Sequence, residues 1–193
     1  MDIVARAKNL ILSPRTEWAV IAAEPVANPI DLIKSYAVPL SLIPAICSFI
    51  GSALIGAFLF RNMGPGMHFG LGGLLVSAVV GYVLGLVGVF IIAKIIEMLQ
   101  PSFGAPADPV AAMKIAVYSP TAMWLAGIFT LLPPISFLAI FGLYSIYLLY
   151  VGVPIVGRVP EAKAVPFILV LALIGIVVNL VIGALLGMLF FMF

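Results

Sequence analysis

Phe69–Lys94, FGLGGLLVSAVVGYVLGLVGVFIIAK, carries no charge until its last residue. A helix rises ~1.5 Å per residue, so the 25 residues Phe69–Ala93 reach about 37 Å, more than the ~30 Å of hydrocarbon in a bilayer. Four further uncharged apolar blocks flank it, at about Tyr36–Phe60, Ile115–Leu132, Ile135–Gly157 and Ala164–Phe193. The pattern predicts an all-α polytopic integral membrane protein, a bundle of five transmembrane helices.

Lys94, at the end of the quoted stretch, opens the question of orientation. Eight of the nine Lys and Arg residues fall on one side of the blocks: Arg6, Lys8, Arg15 and Lys34 before the first, Lys94 and Lys114 between the second and third, Arg158 and Lys163 between the fourth and fifth. Only Arg61 lies on the other side. Cytoplasmic loops retain Lys and Arg, so the N-terminus is expected inside and the C-terminus outside.

Composition excludes other classes. With 65% hydrophobic and 8% charged residues the chain cannot be a soluble globular domain, which carries about 25% charge. A formal net charge of +2 is too small for nucleic acid. The single Cys47 lies inside the first span and permits no intrachain disulfide. No cleavable signal peptide is read in Met1–Leu12, where charges are scattered rather than followed by an apolar core.

Two units are expected: an N-terminal interfacial segment, 1–34, and a five-span membrane domain, 35–193. In the first unit Ile3, Ala7, Leu10 and Ile11 recur at helical spacing, and Ser13-Pro14 restarts a second short helix bearing Trp18. Both are expected to be amphipathic helices lying in the headgroup layer, with Ile3, Leu10, Ile11 and Trp18 at the membrane interface. Asp31 is expected to cap the helix that leads into the first span.

Small residues recur every four positions in three spans: Ser48, Ser52 and Gly56; Gly73, Ser77, Gly81 and Gly85; Gly175, Asn179, Gly183 and Gly187. Such ladders let backbones approach closely where lipid supplies little hydrophobic drive, and they are read as packing seams within the chain in preference to a homodimer surface. Pro133-Pro134 predicts a short external hairpin between antiparallel neighbours, and Arg158–Lys163 a similarly short cytoplasmic turn.

Chemistry is sparse. One His and one Cys make no usual metal site, no carboxylate pair lies within a span, and the Gly-rich run Gly64–Gly73 lacks the Lys and context of a phosphate loop. No catalytic residue, cofactor or metal is expected, and the protein is read as no enzyme. Lys94 and Glu97, three apart, are an interfacial pair or a cytoplasmic gate. His68 reads as a solvated loop residue. Asn179, in mid-span, is the polar residue expected to be buried and bonded to a Ser or a backbone carbonyl. Tyr144, Tyr147 and Tyr150 form an aromatic stripe.

The order of certain elements resembles a known family. These are Ser13-Pro14 with Trp18 and Glu24, the Pro39 region, Tyr118-Ser119-Pro120 with Trp124, Leu132-Pro133, and Tyr147-Leu-Leu-Tyr150-Val-Gly152-Val-Pro154. In that order the chain is similar to the Yip family (Ypt/Rab-interacting proteins), in its short bacterial branch. The resemblance implies an integral protein of the bacterial cytoplasmic (inner) membrane without known catalysis. In eukaryotic relatives it implies vesicle traffic and binding of prenylated Rab GTPases. This chain has neither their long cytosolic N-terminal region nor their Asp-Leu-Tyr-Gly-Pro motif, so Rab binding is not carried over. Only Tyr118 and Ser119 match the family's Tyr-Ser pair, in a structural role. The function expected is membrane organisation as an adaptor or scaffold, with the bilayer, other membrane proteins or a second copy as partners. The alternative is a small transporter or channel subunit.

Overall fold

Helix starts follow from residues that can meet free backbone N–H groups. The computed structural model describes residues 2–61 and 71–192, and every regular element among them is helical. Asp2 Oδ1 accepts the N–H groups of Val4 and Ala5 and starts α1 (Ile3–Leu12). Pro14 at the first turn starts α2 (Pro14–Ala23), which folds back on α1. Asn28, not Asp31, caps the next start, its Oδ1 accepting the Ile30 N–H at 3.1 Å; Asp31 pairs with Lys34 at 3.5 Å.

Ile30–Leu32 and a π-helical turn, Ile33–Ala37, run on into α3 (Val38–Arg61). Pro39 accounts for the wide turn. It has no N–H to offer the Ser35 carbonyl, and its ring would press on that carbonyl, so the Val38 N–H reaches back to Ile33 instead. Next come α4 (Leu71–Leu99), a 3₁₀ turn at Pro101–Phe103, α5 (Pro109–Tyr118) and α6 (Thr121–Ala126). Two further 3₁₀ stretches, Gly127–Leu131 and Pro133–Leu143, lead into α7 (Tyr144–Gly157), and α8 (Glu161–Met192) follows.

Among the described residues four helical stretches are long and apolar enough to cross a membrane: Ile30–Ile55, Gly72–Leu99, Pro133–Gly157 and Glu161–Leu185. The third of the five expected spans is not among them. Ile115–Leu132 is divided between α5, α6 and a 3₁₀ turn, because Pro120 removes a backbone donor. The Thr121 hydroxyl donates to the Tyr118 carbonyl at 2.6 Å across the break.

The broken path runs beside α3 in the same direction: Tyr36 meets Tyr118 and Thr121, Pro44 faces Gly127, and Gly51 faces Thr130. The path through α7 runs against it, with Phe141 near Phe129, Ser145 Oγ accepting the Met123 N–H, and Gly157 on Ile115. α8 runs against α4, from Phe167 on Phe103 to Val178 and Ile182 beside Gly88. Every residue from Ala111 to Ser119 is buried, so α5 is the axis of the core.

The N-terminal helices correct a second expectation. Leu10 and Trp18, assigned to the membrane interface, are fully buried against protein, in one cluster with Ile21, Ile115, Tyr118 and Val153. Ile3 and Ile11 are half-buried, while Val4, 77% exposed, Leu12, 68%, and Val20, 45%, are among the apolar side chains left outside. Periodicity marks which face of a helix is apolar; protein covers most of it here.

The small-residue ladders correct a third. A side chain built at Gly73, Gly85, Gly175, Gly183 or Gly187 would meet nothing within 4 Å. Close approach occurs elsewhere: a Cβ at Gly152 would lie 2.6 Å from the Trp18 indole, and one at Gly127 would run into Pro44. The Gly56 end of the first ladder lies outside the residues whose side chains are described, and His68 outside the described residues.

Candidate functional site

Where the α1–α2 hairpin enters the bundle, charged and aromatic side chains converge. Arg6 projects from the middle of α1 and is 7% exposed. One of its terminal nitrogens donates to Glu17 Oε1 at 2.6 Å, and the other donates to Glu24 at the end of α2. Burial works against the guanidinium's charge, but the Glu24 and Glu17 carboxylates outweigh it and hold its pKa above the ordinary value.

Lys114 continues the cluster from α5. Its Nζ donates to the carbonyls of Ile21 at 2.7 Å, Ala22 at 3.4 Å and Glu24 at 2.7 Å. These are among the last carbonyls of α2, which lack partners within the helix, and the negative end of the helix dipole faces the ammonium. A buried cation thus clamps a helix end. The positive charges of Arg6 and Lys114 balance the negative charges of Glu17 and Glu24.

Tyr118 stands at the centre. Trp18 meets its ring edge-on at 6.3 Å between centroids, Tyr36 packs at 4.7 Å, and the Arg6 guanidinium lies 5.8 Å from the ring centre. The Tyr36 hydroxyl shares a hydrogen bond with Thr121 at 2.9 Å. Farther along, Tyr144 donates to the Ile11 carbonyl at 3.1 Å, tying the tip of the hairpin to α7. The buried Ser119 Oγ, Arg6 Nε and Trp18 Nε1 have no hydrogen-bond partner. Below the cluster Gln100, fully buried, donates to the Gly157 carbonyl and accepts the Asp108 N–H, joining the ends of α4 and α7 to the start of α5.

The residues singled out in the sequence are dispersed. Tyr118 and Ser119 belong to the cluster. Lys94 and Glu97 pair at 2.8 Å on the surface of α4, with Lys94 52% exposed; such a pair contributes little stability. Asn179 is exposed rather than buried, and its amide donates to the Gly175 carbonyl of its own helix at 2.9 Å. Ser77, Gly81, Gly85, Gly175 and Asn179 line a cavity of about 550 Å³ between α3, α4, α8 and the broken path. Sequence reasoning passed over Glu17 and Gln100, took Arg6 and Lys114 as topology charges, and met Glu24 only in the family resemblance. Lys114 had a legible signal: it lies five residues inside the helix begun at Asp108-Pro109, too deep for a loop cation.

Long apolar helices around a buried, charge-balanced cluster define a multi-pass membrane protein whose first helices are built into its core. The Yip1 domain model matches residues 8–192, and the chain belongs to that family. It is 29% identical over 145 residues to the inner membrane protein YohC of Escherichia coli strain K12, covering 72% of each chain, and equally to YohC of Escherichia coli O6:H1. No solved structure matches it.

Proposed function

We propose that this protein is a non-enzymatic organiser of the bacterial inner membrane, an adaptor or scaffold, with the α1–α2 hairpin on the cytoplasmic side and the C-terminus outside. The observation that carries this reading is what the buried charges do. Arg6, Glu17 and Lys114 are engaged with one another's helices and hold the hairpin in place. Groups bonded in this way are unsuited to proton transfer or nucleophilic attack on a substrate. The hairpin's outward face, with Val4, Lys8, Arg15 and Val20 exposed, is a rigidly mounted surface of mixed apolar and cationic character. The fifth crossing in this reading is the broken path, Pro109 to Leu131, supported by its course parallel to α3. The relatives named as inner membrane proteins support the location.

The test is photocrosslinking in native membranes from a reactive residue placed at Val4 or Arg15, with Met98 as an exposed control. Recovery of the same membrane protein from both hairpin positions and not from Met98 is the expected result. Solute flux in proteoliposomes of the purified protein, abolished by Asn179→Leu, would instead establish the transporter.

A further inference from the structure

The cavity between α3, α4, α8 and the broken path is accounted for by neither the hairpin nor the charged cluster. Its wall on α4 extends from Ser77 to Ile92, about 22 Å of helix at ~1.5 Å per residue. It lies among the helices long and apolar enough to cross a membrane. A second gap, of about 740 Å³, between α8 and the path through α7 shares Met123, Gly175 and Asn179 with it. The two spaces border one another there; of the described side chains on α8, Ala164, Phe167, Ile168 and Leu171 are buried and none beyond Leu171 is.

We infer that this cavity is a binding site for one acyl chain of a membrane phospholipid, which enters sideways past α8. Three observations identify the occupant. Five of the seven polar side chains on the wall are turned to protein: Ser41, Ser48, Tyr82, Thr130 and Asn179 each donate to a backbone carbonyl, at 2.7 to 3.4 Å, and Ser77 and Trp124 are the other two. A wall most of whose donors are so engaged offers water little and methylene groups a suitable contact. The space is long and narrow, following α4 from Ser77 to Ile92, as an extended chain requires. The side opening at Met123, Gly175 and Asn179 adjoins Ile140, Ile146 and Leu180, all strongly exposed apolar residues. The inference is independent of the adaptor reading.

Trp124 lines the cavity and reports on its contents. The full chain, carrying Trp18→Phe so that Trp124 is its one tryptophan, is reconstituted in vesicles of phosphatidylethanolamine and phosphatidylglycerol whose acyl chains are brominated near mid-chain, and tryptophan quenching is measured. Gly85→Leu and Gly175→Leu project side chains into open cavity and are expected to lower the quenching of Trp124 at least twofold. Gly183→Leu, equally unobstructed but outside the cavity wall, is expected to leave it unchanged. Equal quenching in all four proteins overturns the inference. The same protein with its glycines intact gives a second reading that depends on no glycine variant. Brominated chains should quench Trp124 more than water-soluble acrylamide does, and the opposite order makes the cavity aqueous and overturns the inference as well.

Discussion

Arg6 and Glu17 show how much one buried charge depends on its partner. Removing the guanidinium by Arg6→Ala leaves Glu17 inside the protein without its counter-charge, which costs about 3 kcal/mol. Replacing both, Arg6→Leu with Glu17→Leu, removes the uncompensated charge and is expected to destabilise less than Arg6→Ala alone; thermal unfolding in a mild detergent measures both. The glycines divide on the same local criterion. Gly152→Leu drives a side chain into the Trp18 ring and should lower the melting temperature by many degrees, whereas Gly85→Leu, with no atom within 4 Å of its Cβ, should leave it within a degree or two. The i, i+4 spacing of small residues was legible, but what stands opposite a glycine is not written in its own helix. For the same reason the Arg6–Glu17 pair, eleven residues apart on two antiparallel helices, leaves no periodic trace.

Among the elements, α1 separates two accounts of an amphipathic helix. Were its apolar stripe set in lipid, Leu12 would matter as much as Leu10. Protein covers Leu10 completely and leaves Leu12 largely bare, so Leu10→Glu is expected to release the hairpin while Leu12→Glu leaves it docked. Trp18 fluorescence follows the outcome, shifting to the red on release and staying blue when the hairpin remains. Burying an unpaired carboxylate in an apolar seat is costly enough to displace a two-helix element held by a few ionic contacts. The start of α2 was legible, because Ser13-Pro14 acts locally. The break in the third block was legible too, in Pro120, but the hydrophobic run around it outweighed the proline in the reading of a continuous span. Lys114 was counted with the loop cations because charge counting registers sequence position and not the helix turn on which a residue lies.

For the whole molecule the charge asymmetry gives the firmest expectation. Reporter fusions after Ala105 and Ala162 should read cytoplasmic and a fusion after Phe193 external. A cytoplasmic reading after Phe193 would remove the broken path as a crossing, leaving four. The membrane class and the course of the long helices were visible in the lengths of the apolar blocks and in the charges between them. The seat of the hairpin was not, since it joins residues from opposite parts of the chain: Lys114 to Ile21, 93 positions apart, and Tyr144 to Ile11, 133 apart.

Those separations bear on how the protein is made. The hairpin leaves the ribosome before the helices that receive it, which are synthesised 93 to 133 residues later. At ~5–20 residues per second this delay is roughly 5 to 27 s. For that interval Leu10, Trp18 and Ile21 have no protein to cover them, and the nearest apolar phase is the membrane surface. The stripe that ends in the core is therefore expected to rest on the bilayer until α5 and α7 arrive, and flotation of ribosome-bound chains stalled before Lys114 with membrane vesicles would measure it.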